Sequence, residues 1–135
     1  MRLIFKILLI QILLLIGISN LYSKQLLSVP VIKFEDLSYD FGKVSQGDLL
    51  EHTFSFTNEG DAKLMIQSVQ PSCGCTGAAI GDKKEFDKGE TGEIKVTFNT
   101  QGRSGIITKT VTITTNDEAN PQVIITFTCE IVESK

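Results

Sequence analysis

Two cysteines separated by one glycine, Cys73-Gly74-Cys75, are the one place in this chain where residue type and spacing carry evident chemistry. In an extended strand they would point to the same side, with Cα atoms roughly 6.6 Å apart. That is near the upper limit for a disulfide, and Gly74 lets the backbone turn to bring them closer. Four chemistries fit the pair. It can be a local disulfide that pins a turn, two thiols that pack, a thiol–disulfide redox pair, or a soft-metal site for Cu(I) or Zn²⁺. A Cys-Gly-Cys bridge closes a very small ring, which predicts a strained and easily reduced bond. A structural zinc site wants four protein ligands. Only Cys73, Cys75, Cys129, His52 and scattered acids are on offer, without recognisable ligand spacing. Nor is this the Cys-x-x-Cys of thioredoxin-like centres, and no helix N-terminus is evident to lower a thiol pKa.

The remaining candidates read as structure. Cys129 continues the apolar series Val123, Ile125, Phe127 and is expected as a buried small hydrophobe, the alternative being a partner for Cys73 or Cys75. His52, the only histidine, is expected half-buried and satisfied rather than a base or ligand. Asp40-Phe41-Gly42 matches a kinase metal motif by letters alone; Phe41 is expected in the core and Gly42 in a turn. Arg103, the only arginine beyond Arg2, is expected at a solvated loop tip. Asp82, Glu85, Asp87 and Glu90 lack calcium-loop spacing. No catalytic or cofactor-binding residue emerges, no cofactor is called for, and the chain reads as a non-enzyme.

The elements that position these residues begin after an N-terminal targeting segment. Arg2 and Lys6 precede an apolar run from Ile7 to Ile18, followed by the small residues Gly17, Ser19 and Ser23. A basic start, a short apolar run and small residues make a secretory signal. The run is shorter than the roughly 20 residues a bilayer span needs. The reading is a signal peptide over 1–23, the alternative being an uncleaved anchor, then a lead-in over 24–30 and one domain over 31–135. Cleavage after Ser23 leaves 112 of the 135 residues. Losing Arg2 and Lys6, and no acid, moves the formal net charge from −3 to −5. A mildly acidic domain without a basic stripe argues against nucleic acid and against docking on anionic membrane. The expected address is periplasmic, secreted or cell surface.

Beyond residue 30 the hydrophobic period becomes two. Leu50, His52, Phe54 and Phe56 fall on one face, as do Ile94, Val96 and Phe98, and later Val123 to Ile131 in alternation. Ile107, Val111 and Ile113 share a face with Lys109, opposite Thr108, Thr110, Thr112 and Thr114. Asn58-Glu59-Gly60-Asp61 reads as a hairpin-type turn with Gly60 free to take positive φ. Leu64 to Val69 reads as a strand with a bulge, and 78–80 and 85–86 as short edge pieces. The sum is an all-β, immunoglobulin-like antiparallel β-sandwich of about seven strands behind a signal helix. Its predicted centre is Phe54, Phe56, Ile94, Val96, Val111, Ile113 and Phe127.

Several segments carry a family resemblance. They are Tyr39-Asp40-Phe41-Gly42-Lys43-Val44, His52 to Gly60, and Pro71-Ser72-Cys73-Gly74-Cys75-Thr76. Lys88-Gly89-Glu90, Ile94 to Asn99, Gly102 to Gly105 and Val111 to Asn116 continue the match. In this order they resemble the bacterial domain of unknown function 1573 family, itself similar to Hydin-type and major-sperm-protein-like immunoglobulin modules. The resemblance implies a secreted or surface domain, common in Bacteroidetes-like bacteria, with no activity assigned. Gly77-Ala78-Ala79 stands where members carry an acidic or aromatic stretch, a departure beside the cysteines. The functional expectation is a monomeric, non-catalytic module that binds a protein partner or scaffolds in the cell envelope. Copper binding or thiol–disulfide exchange through Cys73 and Cys75 is the alternative.

Overall fold

The computed structural model describes residues 1–4, 6–8, 10–11 and 26–133. Residues 2–4, 6–8 and 10–11 are helical. Gly17, Ser19 and Ser23, and with them the expected cleavage site, lie outside the described residues. No helix among the described residues is long and apolar enough to cross a membrane.

From Ile32 onward the described residues form nine strands: β1 (Ile32–Phe34), β2 (Ser38–Ser45), β3 (Leu49–Asn58), β4 (Leu64–Pro71), β5 (Thr76–Ala79), β6 (Glu85–Phe86), β7 (Thr91–Asn99), β8 (Gly105–Thr115) and β9 (Gln122–Val132). One sheet runs β1-β3-β7-β5 and the other β2-β9-β8-β4-β6. The count exceeds the expected seven because β5 and β6 pair as true strands. The sandwich is also not purely antiparallel, because β2 pairs β9 in parallel. Two-residue periodicity specifies which side chains face inward but not the direction of the neighbouring strand.

The inward faces interlock as the alternation requires. Phe54, Phe56, Ile94, Val96, Val111, Ile113 and Phe127 are all buried, joined by Phe98, Ile125, Cys129 and Leu64. Phe98 of one sheet and Phe127 of the other meet at 5.6 Å between ring centroids, so aromatic contact joins the two layers. Phe41 sits half-buried at the edge of this core, edge-on to Phe127 at 5.8 Å. Gly42, at φ +69°, follows it in a register shift between Asp40 and Lys43 that bends β2. The expected irregularity in β4 lies between Ile66 and Ser68.

The segment after β3 departs from the expected hairpin. β3 and β4 belong to different sheets, so residues 58–63 form a crossing. Gly60 is also not at positive φ. It is glycine because a Cβ there would overlap the Val29 carbonyl oxygen and stand 2.8 Å from the Pro30 carbonyl carbon. Asn58, fully buried, holds the crossing. Its Oδ1 accepts from the Val31 and Gly60 amides at 3.3 and 3.0 Å. Its Nδ2 donates to the Ala62 and Phe86 carbonyls at 2.8 and 2.9 Å. The side chain uses its full capacity of two acceptor and two donor bonds.

Asp117 does a similar job in the β8–β9 turn. Its carboxylate accepts from the Ile32 amide at 3.1 Å and from the Ala119 and Asn120 amides at 3.0 and 3.2 Å. Asn120 Nδ2 adds a fourth bond at 3.1 Å. Burial alone would raise the Asp117 pKa, but these hydrogen bonds together outweigh it and hold the carboxyl below its ordinary value. A depressed folded pKa stabilises the fold above the unfolded value near 3.8 and loses that contribution as pH falls through the folded value. Urea titrations of wild type and Asp117→Asn should therefore differ by about 1–2 kcal/mol at pH 7 and converge toward pH 2. Equal pH dependence in the two proteins would show that Asp117 does not carry this term.

Candidate functional site

The Cys73-Gly74-Cys75 segment is the crossing from β4 in one sheet to β5 in the other. Proline ends β4, and the chain must turn across the open side of the sandwich to begin β5. Cys73 and Cys75 are joined as a disulfide with Cα atoms 5.3 Å apart. Both are half-buried, while Ser72 and Gly74 are exposed. Cys75 leans on the core. The buried Thr76 hydroxyl lies 3.5 Å from Cys73 Sγ and 4.0 Å from Cys75 Sγ.

The crossing is held independently of the sulfurs. The Ser72 amide donates to the Thr110 carbonyl at 2.9 Å, and the Thr110 amide donates to Ser72 Oγ at 3.3 Å. The Thr76 amide donates to the Cys73 carbonyl at 3.3 Å. Antiparallel pairing of Pro71 with Val111 is thus extended by one residue to Ser72 and Thr110.

The other sequence candidates lie apart from this crossing. Cys129 is a free, fully buried thiol in β9, and burial, with the Asp40 charge adding to it, pushes its pKa up. A protonated buried thiol is a poor nucleophile and metal ligand. His52 stacks face to face on Tyr39, 3.6 Å between centroids, and meets Phe54 edge-on at 4.7 Å. Burial lowers its pKa, and the Asp36 charge opposes that shift. Arg103 departs from the expected solvated tip. Its guanidinium lies over the Phe98 ring at 5.6 Å, its carbonyl accepts from Gln46 Nε2 at 2.9 Å, and its Nε is buried without a hydrogen-bond partner. The apolar ring offers the planar cation a face, which outweighs solvation of the loop tip. Among the described residues no group of three His, Cys, Asp or Glu side chains is arranged to hold a metal.

A second feature was not read from the sequence. β5 is shorter than β7 and pairs only Phe98 back to Lys95. No strand among the described residues covers the same edge of β7 over Thr91–Ile94. A cavity of about 560 Å³ opens there, lined by Thr53, Ile80, Lys83, Phe86, Gly92 and Lys95 among others. Its signal in sequence is weak, because the end of β5 is set by where Gly81, at φ +78°, turns the chain. The other edges are blunter: β1 has three residues, β6 has two, and β2 is bent by its bulge.

Comparison with known proteins follows the same architecture. A protein of unknown function from Porphyromonas gingivalis W83 superposes with a TM-score of 0.69 at 20% identity, over 82% of this chain and 51% of that one. The chain thus spans about half the length of that structure. PapD-like domain 7 of human CEP192 matches with a TM-score of 0.58 at 11% identity, over 77% of this chain and 87% of that one. The periplasmic chaperone SfaE matches with a TM-score of 0.52 at 7% identity, over 78% of this chain and 58% of that one. Identities this low speak for a shared PapD-like, immunoglobulin-like fold alone. A search of curated proteins returns no match. The family model described as "Protein of unknown function (DUF1573)" matches residues 32–131, the whole span from β1 into β9, and the chain belongs to that family.

Proposed function

We propose that this chain is an exported, non-catalytic module that binds a protein partner in the cell envelope by taking an extended segment of it onto the open edge of β7. The observation that carries the reading is the uncovered stretch Thr91–Ile94 beside the 560 Å³ cavity. A strand edge presents unpaired amide and carbonyl groups, and an incoming extended segment satisfies them while its alternate side chains enter the cavity. Phe86 and Ile80 supply apolar wall there, and Lys83, Glu93 and Lys95 supply charges of both signs. Export is supported by Arg2 and Lys6 ahead of the Ile7–Ile18 run. A disulfide at Cys73–Cys75 also fits an oxidising compartment.

The full chain, expressed in a bacterial host and recovered from the envelope fraction, tests both halves. The mature protein is expected to begin near Lys24. Captured with its bound partner, it should show slowed amide exchange over Thr91–Ile94 and Ala79–Gly81. Protection elsewhere with none at β7 sinks the strand-addition reading. Retention in the cytoplasm sinks export.

A further inference from the structure

We propose that the open edge of β7 selects its occupant by charge: it takes an extended segment of a partner protein with a lysine or arginine opposite Glu93, flanked by apolar residues that face inward. This rests on the strand-addition reading and adds to it the chemistry of the segment.

The backbone settles which residue meets the incoming segment. At one end of the β3–β7 ladder the Asn58 amide donates to the Glu90 carbonyl, and at the other the Thr100 amide donates to the Asp48 carbonyl. Bonded positions alternate along an antiparallel pair, so the even-numbered residues of β7 turn their backbone groups toward β3. Thr91, Glu93, Lys95 and Thr97 turn theirs the other way. β5 covers Thr97 and Lys95, which pair with Gly77 and Ala79. The chain then leaves β7, and no backbone bond from Ile80 or Gly81 reaches Glu93 or Thr91. Glu93 therefore presents a free amide and a free carbonyl in the middle of the uncovered stretch.

The side chains settle what the segment must carry. Glu93 is exposed on the outer face of its sheet, and its neighbour across β3 is the neutral Ser55. The two lysines that line the cavity with it are already engaged. Lys95 Nζ lies 2.7 Å from Glu51 Oε1, and Lys83 Nζ lies 2.9 Å from Glu90 Oε1. Glu93 forms no ion pair among the described residues. Those two pairs cancel, and Glu93 is left as the uncompensated charge of the cavity wall. A residue directly opposite it on an added strand shares its face, with Cβ atoms about 5 Å apart. A cation there is attracted and a carboxylate is repelled. The residues on either side point inward, opposite Gly92 and Ile94, toward the apolar wall of Ile80 and Phe86. The segment that fits is apolar, cation, apolar.

Binding of two labelled peptides to the full chain, read by fluorescence anisotropy, tests this. The first is capped Thr-Thr-Val-Lys-Val-Thr-Thr, and the second has glutamate in place of the lysine. At low salt the lysine peptide should bind about fivefold more tightly. Glu93→Gln should bring the two affinities together, and Glu93→Lys should reverse their order. Salt at about 1 M should remove the preference and leave the binding, because it screens exposed charges. Methylating the backbone nitrogen of the central lysine should abolish binding, since that amide is the donor to the Glu93 carbonyl. Equal affinities for the two peptides, both lost on methylation, would overturn the charge selection and leave strand addition standing. A lysine preference unchanged in Glu93→Lys would do the same. No binding of either peptide up to about 1 mM, or binding that survives methylation, overturns both readings. A dimer of the chain alone, with the β7 edge amides protected from exchange, would make a second copy the occupant and overturn the proposal.

Discussion

Asn58→Ala is expected to lower the free energy of unfolding by about 3–4 kcal/mol and the thermal midpoint by roughly 15 °C. The side chain is fully buried and joins three parts of the chain: the segment entering β1 at Val31, the crossing at Gly60 and Ala62, and β6 at Phe86. Removing it strands the buried Gly60 amide and Phe86 carbonyl, and each unsatisfied group costs about 1–3 kcal/mol. Asn58→Asp sharpens the test. It keeps the acceptor for the two amides but turns a donor into a carboxylate oxygen facing two carbonyls. Repulsion raises the folded pKa of that carboxyl, so the damage is full at neutral pH and eases as pH falls through the raised value. Urea unfolding at pH 7 and pH 5 measures both variants. A loss under 1 kcal/mol for Asn58→Ala would mean that water replaces the amide without penalty.

Phe127→Ala is expected to cost about 3–5 kcal/mol, the usual range for deleting a buried phenylalanine. The ring touches Phe98 across the sandwich and Phe41 on edge strand β2, so its loss opens a cavity where three strands meet. Phe127→Leu, which keeps most of the volume, should cost about 1.5 kcal/mol or less. Urea midpoints at unchanged slope would read both values as stability rather than as a change in compactness. If the two substitutions cost the same, ring packing between the sheets is not what holds this layer.

The two variants probe different kinds of information. Phe127 was legible in the sequence, because inward residues of a strand recur every second position and no other arrangement hides Val123, Ile125, Phe127 and Ile131 together. Asn58 was legible only as a turn former. Its role depends on Val31 and Phe86, 27 and 28 residues away, and no local pattern records that they converge. Gly60 needs to be glycine for a reason no local pattern carries. The turn demands no positive φ; the backbone of Val29 to Val31 simply passes too close for a side chain.

The candidate site divides in the same way. Cys73 and Cys75 stand out by type and spacing, and Lys109 shows itself as a cation on an otherwise apolar face. That the cystine sits where the chain crosses from one sheet to the other follows from the strand order, a long-range arrangement set by how two sheets bury their faces. Arg103 lies between glycines, a local pattern that predicts a loop tip, yet its guanidinium rests over the Phe98 ring, a contact that only the fold brings about.

The sequence by itself determined the strands, the face each one buries and the residues of the core, since alternation is a local property of the pleated chain. Tertiary structure alone decided strand order, the parallel β2–β9 pair, the uncovered edge of β7 and the place of the cystine at the crossing between the sheets. Those depend on where distant segments come to rest, and the two-residue period that builds every strand is the same whichever neighbour it finds.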